Sequence, residues 1–273
     1  MSDIVLTAGV RANLLQLQST AATITNTQSK LATGKRVNSA LDNPINFFTA
    51  QGLSNRASDL TNLLDSMSTA ISTIQAANNG LTSITKLVQS AQALASQAQQ
   101  TSDVSVRLGL AAQFDSIKTQ ITQLAGDSGF NGINLLDSAN STDLTVQLNE
   151  RNTSSVTVNA VDSTATGLSI NNATNNWAAA ADITAASGEL TAALTTLRSQ
   201  SQAFGSQLST VQIRQDFTKA MTNTLQSGSD ALTLADSNEE GANLLALQTR
   251  QQLSTTALSL ASQAAQAVLR LFQ

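Results

Sequence analysis

The chain has 273 residues, enough for one large domain or two small ones, and its 14 basic and 18 acidic side chains give a net charge of −4. Because histidine and cysteine are absent, the sequence excludes a cysteine nucleophile, a histidine-bearing triad, a Cys/His metal site and a disulfide framework. Charged residues make up 12% without a basic block, which argues against a protein that tracks the phosphates of nucleic acid.

A heptad pattern predicts a helix in the first segment, because apolar side chains recur at alternating steps of four and three. The seam consists of Val10, Leu14, Leu17, Ala21, Ile24, Gln28 and Leu31. Gly34 is expected to end this helix as its C-cap. Lys35 and Arg36 then lie beside the negative end of the helix dipole.

A second and much longer helix is predicted from Pro44 to about Gln100. Asn43 suits the cap position and Pro44 suits the first helical position, and the helix would be roughly 85 Å long at 1.5 Å per residue. The sequence at 101–103 interrupts the pattern and caps a shorter third helix. A helix this long needs long partners, so we predict a mainly α fold, a long antiparallel helical rod or coiled-coil bundle.

A change of period predicts a small β-hairpin insert at about 131–177. Two short runs alternate apolar and polar residues across a polar loop, as hairpin strands do. The apolar positions are Leu144, Val146 and Leu148, then Val156, Val158 and Ala160. Helical periodicity resumes in a fourth helix that extends to about 232–236, and a fifth helix follows at about 237–272.

Both ends of the chain are amphipathic and poor in charge. The last helix has a first apolar row and a second row beside it, and no charged residue occurs between Gln251 and Leu269. The first row includes Leu244, Leu247, Leu258, Val268 and Phe272, and the second includes Leu253 and Leu260. Such a wide apolar arc suits a helix with protein on most sides. The pattern fits either assembly helices that pack against other copies or an ordinary intramolecular helical hairpin.

The remaining conspicuous residues have structural interpretations. Lys35, Arg36 and Asp42 either contact a neighbouring subunit or cap and solvate a loop. We expect Trp177 to be a hydrophobic plug at a helix start, and Glu239 with Glu240 to complement a helix dipole. No clustered acid–base pair is visible, so we expect neither an enzyme nor a cofactor.

The first residues have neither a charged n-region with an apolar core nor a cleavage site, and no apolar run approaches the roughly 20 residues of a membrane span. We therefore expect no membrane insertion, and either a cytosolic protein or export without a cleaved signal peptide.

Three sequence landmarks resemble those of bacterial flagellins. The first is Ser29-Lys-Leu-Ala-Thr-Gly-Lys-Arg-Val-Asn-Ser-Ala-Leu-Asp-Asn-Pro44, and the second is Phe130-Asn-Gly-Ile-Asn-Leu-Leu136. The third is the C-terminal stretch that begins Asn243-Leu-Leu-Ala-Leu-Gln-Thr-Arg-Gln-Gln-Leu253. Together they cover about half of the chain in the family's order. The variant Asp42-Asn-Pro-Ile-Asn-Phe-Phe48 resembles the alphaproteobacterial type, and the short insert resembles a flagellin that lacks large outer domains.

The resemblance implies a structural subunit that polymerises into the extracellular flagellar filament for motility. Residues 1–37 and 237–273 would form a terminal coiled-coil inner-core domain, and 38–236 a helical outer-tube domain with the hairpin. The chain would be exported unfolded by the flagellar type III system, with a recognition segment around 26–47, and its terminal helices would fold as it assembles. Its partners would be copies of itself, other flagellins, an export chaperone, and the cap and junction proteins. The alternative within the same class is the hook–filament junction protein.

One departure from the family concerns innate recognition. Flagellins sensed by the animal Toll-like flagellin receptor carry an Arg-x-Arg-Glu-Leu patch, whereas the matching stretch has Ser90, Gln92, Ala93 and Leu94. Both arginines and the glutamate are missing. Because arginine is typical of interface hot spots, the sequence predicts weak or absent receptor activation.

Overall fold

The computed structural model describes residues 8–140 and 142–271, and these are mostly helical. They contain five α-helices and one two-stranded antiparallel sheet. The helices are α1 (Ala8–Thr33), α2 (Pro44–Gln99), α3 (Val104–Asp127), α4 (Ala180–Thr233) and α5 (Ser237–Leu271), and the strands are β1 (Leu144–Gln147) and β2 (Ser155–Val158). The predicted mainly α fold with a hairpin insert is confirmed.

The helix boundaries follow from local capping chemistry. The Asn43 side chain accepts the backbone N–H of Asn46 at 3.0 Å, and this hydrogen bond caps the first turn of α2. Asp103 caps α3 in the same way, by accepting the N–H of Ser105 at 2.8 Å. After α1, Gly34 has a φ of 68°, the left-handed conformation in which glycine ends a helix without a Cβ clash. The caps predicted at these three places are therefore present.

The described residues divide into two compact units. A terminal unit comprises those up to Asn55 and from Thr224 onward, and a central unit comprises Arg56–Asn223.

Within the central unit, α2 and α4 run antiparallel. Ser201 donates a hydrogen bond to the Asn78 side chain at 3.1 Å, and Gln215 donates to Ser68 at 2.8 Å. The largest fully buried apolar side chains of this unit come from α2, α3, α4 and the segments between α3 and α4. They include Met67, Ile74, Leu81, Ile84, Phe114, Ile121, Leu135, Leu136, Trp177, Ile183 and Leu190. Each such side chain contributes roughly 1.5–3 kcal/mol to folding when it is fully buried.

The hairpin has one buried face, as its alternating pattern predicts. Leu144 pairs with Val158, and Val146 pairs with Val156. The loop between the strands is closed by Asn149, whose side chain accepts the N–H groups of Thr153 and Ser154. These contacts give the loop a defined shape.

A salt bridge connects the loop between β1 and β2 to α2. Arg56 Nε lies 2.7 Å from Glu150 Oε1. The pKa of the Glu150 carboxyl lies below its ordinary value, chiefly because a hydrogen bond from its own backbone N–H favours the charged form, and the charge of Arg56 adds to this.

Trp177 lies just before α4 and is fully buried, as expected of a hydrophobic plug. Its ring centroid lies 5.0 Å from that of Phe114 on α3. Asn175, Asn176 and Trp177 have φ values of 48°, 50° and 60°, so three successive residues are left-handed. The indole therefore reaches the core through a backbone conformation that is rare for a bulky residue.

Candidate functional site

The helices nearest the two ends of the chain, α1 and α5, pack against each other in the terminal unit. They run antiparallel, because Lys30 near the end of α1 meets Glu240 in the first turn of α5. Lys30 Nζ lies 3.0 Å from Glu240 Oε1, and both side chains are partly buried. Glu239 and Glu240 also occupy the first turn of α5, where carboxylates complement the dipole.

A heptad seam runs along this helix pair, since the less exposed residues of each helix recur at steps of three and four. On α1 they include Val10, Asn13, Leu17, Thr20, Ile24, Thr27 and Leu31, and on α5 they include Leu244, Leu247, Gln251, Ser254, Leu258 and Ala261. Thr20 is 2% exposed, and its hydroxyl donates to the Gln16 carbonyl at 2.8 Å. A buried threonine whose hydroxyl is paired in this way costs little stability.

Each helix of the pair also carries leucines on the side that points away from the seam, and these are exposed to solvent. Leu15, Leu245, Leu253 and Leu260 are 66%, 67%, 67% and 62% exposed. Burying a fully exposed leucine contributes roughly 1.5–3 kcal/mol, and covering each of these partly exposed leucines would contribute about two thirds of that. The pair therefore has an internal seam, and exposed apolar side chains on the outward side of each helix.

Backbone pairing between two connectors holds this arrangement at one end. Lys35 and Leu234 form an antiparallel bridge. Arg36 N–H donates to the Thr233 carbonyl at 2.8 Å, and Ala235 N–H donates to the Gly34 carbonyl at 3.0 Å. The Arg36 guanidinium also donates to the Ala231 carbonyl at 3.2 Å. The segment after α1 is thus joined to the segment between α4 and α5.

The turn between α1 and α2 is organised by Asp42. Its Oδ2 accepts the N–H groups of Asn38 and Ser39, both at 2.9 Å, and the Ser39 hydroxyl at 3.2 Å. The backbone hydrogen bond from Asn38 is the largest cause that holds the Asp42 pKa below its ordinary value. This aspartate therefore closes a loop, while its carboxylate stays exposed and charged.

Most of the predicted packing residues lie in the α1–α5 seam, but not all of them do. Val10, Leu17, Ile24, Leu31, Leu244, Leu247 and Leu258 lie in the seam, whereas Leu14 is 39% exposed on the adjacent face. The Val268 side chain and Phe272 lie outside the described residues. On α2, Ser90 and Ala93 are exposed, and Gln92 and Leu94 are half-buried.

Sequence reasoning missed three features of this unit. It did not find Asn13, Thr20 and Thr27 in the seam, because these residues are polar. It did not pair Lys30 with Glu240, although their opposite charges near facing helix ends were a signal. It also left unremarked the exposure of Leu41, Ile45 and Phe48 around the start of α2.

The described part of the chain shows no group of three or more acidic side chains placed to hold a metal ion. None of the described helices combines the length and apolar character that a bilayer crossing requires.

Comparison with known proteins gives a consistent result over the whole length. The family model for the bacterial flagellin N-terminal helical region matches residues 7–141. Flagellin FljM of Caulobacter vibrioides is 32% identical over 100% of this chain and 99% of its own length. Flagellin FljK of the same organism is 31% identical over the same shares. Flagellin A of Rhizobium meliloti is 42% identical over 30% of this chain and 21% of its own length.

Among solved structures, a crystal structure of Bacillus cereus flagellin is similar to this chain. It has a TM-score of 0.49 and 23% sequence identity, and the match covers 57% of this chain and 88% of the crystallised chain.

Proposed function

Since this chain belongs to the flagellin family, the structural subunits of the flagellar filament, we propose that it polymerises through its terminal helices. Residues 1–37 and 237–273 form the inner-core domain of the polymer, and 38–236 form its outer-tube domain. The observation that carries the proposal is the exposure of leucines on the outward sides of α1 and α5. A homopolymer would cover these leucines with copies of itself.

The composition of α5 supports the same proposal. No charge occurs between Gln251 and Leu269, and Ser, Thr, Gln and Ala fill the faces between the apolar rows. Identical neighbours can pack closely along such a helix without repulsion between like charges. In the proposed mechanism the terminal helices are stabilised by subunit packing, because ligands and partners that bind only the folded state shift folding towards it.

The proposal extends to the route and the partners of the chain. It is exported unfolded by the flagellar type III system, with recognition around residues 26–47. It binds an export chaperone, and it assembles outside the cell with the cap and junction proteins as partners, alone or with other flagellins. In this mechanism Lys35, Arg36 and Asp42 shape the bend that joins the terminal helices to the rest of the subunit.

A matched pair of substitutions on α5 tests the assembly role. Leu258→Asp places a charge in the α1–α5 seam and should lower both the thermal stability of the pair and polymerisation. Leu260→Asp places the same charge on the outer face, where the side chain is 62% exposed. It should change the free energy of unfolding of the monomer by less than about 0.5 kcal/mol and still block polymerisation.

Polymer is measured by sedimentation and electron microscopy, and folding by circular dichroism. Thr119→Asp, at an exposed site of α3, is the control for added charge and should polymerise normally. If Leu260→Asp forms filaments at the wild-type concentration, α1 and α5 are only an intramolecular hairpin and the proposal fails.

We further propose that this flagellin activates the animal flagellin receptor weakly. Ser90, which is exposed on α2, and Gln92, which is half-buried, stand where the family patch has its two arginines, so the receptor loses planar donors at that place. A reporter-cell assay with purified monomer should give a much weaker response than an enterobacterial flagellin gives. An equal response would contradict this proposal.

A further inference from the structure

Three large apolar side chains around the start of α2 stand in solvent. Leu41, Ile45 and Phe48, here called the connector patch, are 96%, 78% and 64% exposed. The turn that bears Leu41 is closed by the Asp42 carboxylate, and Phe48 stacks edge-on against Phe47 at a centroid distance of 5.5 Å. The patch is therefore both apolar and held in a defined shape.

The central unit has a cavity of about 190 Å³ at the base of the hairpin loop. Its lining includes Leu60 from α2, Leu148 from the loop, and Phe217 and Met221 from α4. Phe217 is 55% exposed, and Ile213, one turn before it on α4, is 66% exposed. A cavity of about 150 Å³ suffices to hold a benzene molecule, so this one, here called the hairpin cavity, has room for a leucine side chain against its apolar wall. Its other wall is polar and is lined by Arg56, Asn149, Glu150, Ser154, Arg214 and Thr218.

The two surfaces carry complementary charge. At the hairpin cavity Arg56 is paired with Glu150, whereas the exposed Arg214 guanidinium forms no ion pair with any described residue. At the connector patch the exposed Asp42 uses only Oδ2 for its hydrogen bonds within the described chain. One surface therefore offers an available carboxylate oxygen, and the other offers an available guanidinium.

We propose that the connector patch of one copy docks on the hairpin cavity of a second copy, with Leu41 in the cavity and Asp42 beside Arg214. The contact joins two different surfaces of the same chain, so it is heterologous. Heterologous contacts that do not close a ring generate open helical filaments. The inference rests on the proposed function, since it names one of the contacts by which copies of this flagellin would associate.

The experiment uses the absence of native cysteine, because every thiol is then an introduced one. Full-length Leu41→Cys and Phe217→Cys chains are mixed, polymerised and treated with a short bis-maleimide. Cross-linked dimers are counted on a denaturing gel. We expect several-fold more dimer than in a mixture of Leu41→Cys with Thr119→Cys, and a ladder of oligomers from the polymerised double variant Leu41→Cys/Phe217→Cys.

Both replaced side chains are exposed, so the substitutions should leave the fold unchanged, which circular dichroism checks. Should either variant fail to fold, Phe48→Cys with Met221→Cys replaces the pair. Polymer without cross-linking above the Thr119 control overturns this contact but leaves self-assembly standing. Failure of the wild-type chain to polymerise overturns the proposed function and the contact together.

Discussion

At the scale of single residues, Trp177 combines deep burial with an unfavourable backbone. Three successive left-handed residues lead to it, and each such conformation costs about 1–3 kcal/mol. Its Nε1–H has no hydrogen-bond partner among the described residues. A buried tryptophan removes about 150–250 Å² from water, and that gain, together with the Phe114 contact, opposes these costs.

Replacing this indole should weaken the central unit strongly. We expect Trp177→Ala to lower the free energy of unfolding by about 3–5 kcal/mol, because it leaves a cavity beside Phe114. Trp177→Phe should cost much less, since it keeps a ring and removes the unpaired N–H. Urea titrations followed by circular dichroism measure both changes, and equal losses for the two variants would contradict the packing argument.

Another single residue, Asp42, stabilises the turn between α1 and α2 through the charge of its carboxylate. Its folded-state pKa is lowered, so the turn gains stability while the carboxylate is ionised, above the ordinary aspartate pKa. That stability is lost as pH falls through the lowered pKa. We expect the amide resonances of Asn38 and Ser39 to shift cooperatively in this acid range, as NMR can follow. Asp42→Asn should abolish the transition, and an unchanged titration in that variant would assign it to another group.

At the scale of secondary-structure elements, glycine has opposite effects at two positions of the terminal unit. Gly34 ends α1 with a φ of 68°, whereas Gly52 lies inside α2, and a Cβ added there would meet no atom within 4 Å. A left-handed backbone is costly for any residue with a Cβ. A glycine inside a helix is itself destabilising relative to alanine.

The same substitution should therefore have opposite signs at the two sites. We expect Gly34→Ala to lower the free energy of unfolding by about 1–2 kcal/mol, and Gly52→Ala to raise it by about 0.5–1 kcal/mol. Chemical denaturation of the two variants in parallel measures both values. If both substitutions changed the free energy of unfolding in the same direction, the backbone conformation at each glycine would not determine the effect of adding a Cβ.

At the scale of the whole molecule, the exposed apolar side chains follow position. The exposed leucines of α1 and α5 lie toward the chain ends, and no charge occurs between Gln251 and Leu269. The central unit, by contrast, buries its large side chains within one chain, including Phe114, Trp177 and Leu190. Folding of a single copy should therefore depend mainly on the central unit, and assembly on the ends.

Removing residues 244–273 tests separately whether folding of a single copy and assembly of copies require the last helix. The truncated chain should stay soluble and keep Trp177 buried, because no part of the central unit is deleted, but it should form no filaments. Tryptophan fluorescence reports the core, since the chain has one tryptophan. Sedimentation and electron microscopy report assembly, and filaments of normal appearance from the truncated chain would refute the assembly role of the terminal helix.

Local signals in the sequence were enough for most of the secondary structure. The caps at Gly34, Asn43 and Asp103 and the change of period at the hairpin each depend on neighbouring residues, so a single sequence reveals them. The family also followed from short landmarks at both ends. None of these conclusions required knowing which helix packs against which.

The register of the terminal seam and the open surfaces were decided only by the tertiary structure. Hydropathy favoured Leu14 and passed over Asn13, Thr20 and Thr27, because periodicity cannot tell which side of a helix faces its partner. The same holds for the pairing of Lys30 with Glu240 and of Arg56 with Glu150, and for the exposure of the connector patch. Each depends on residues far apart in the chain, and long-range packing, which the local pattern does not contain, determines which of them meet.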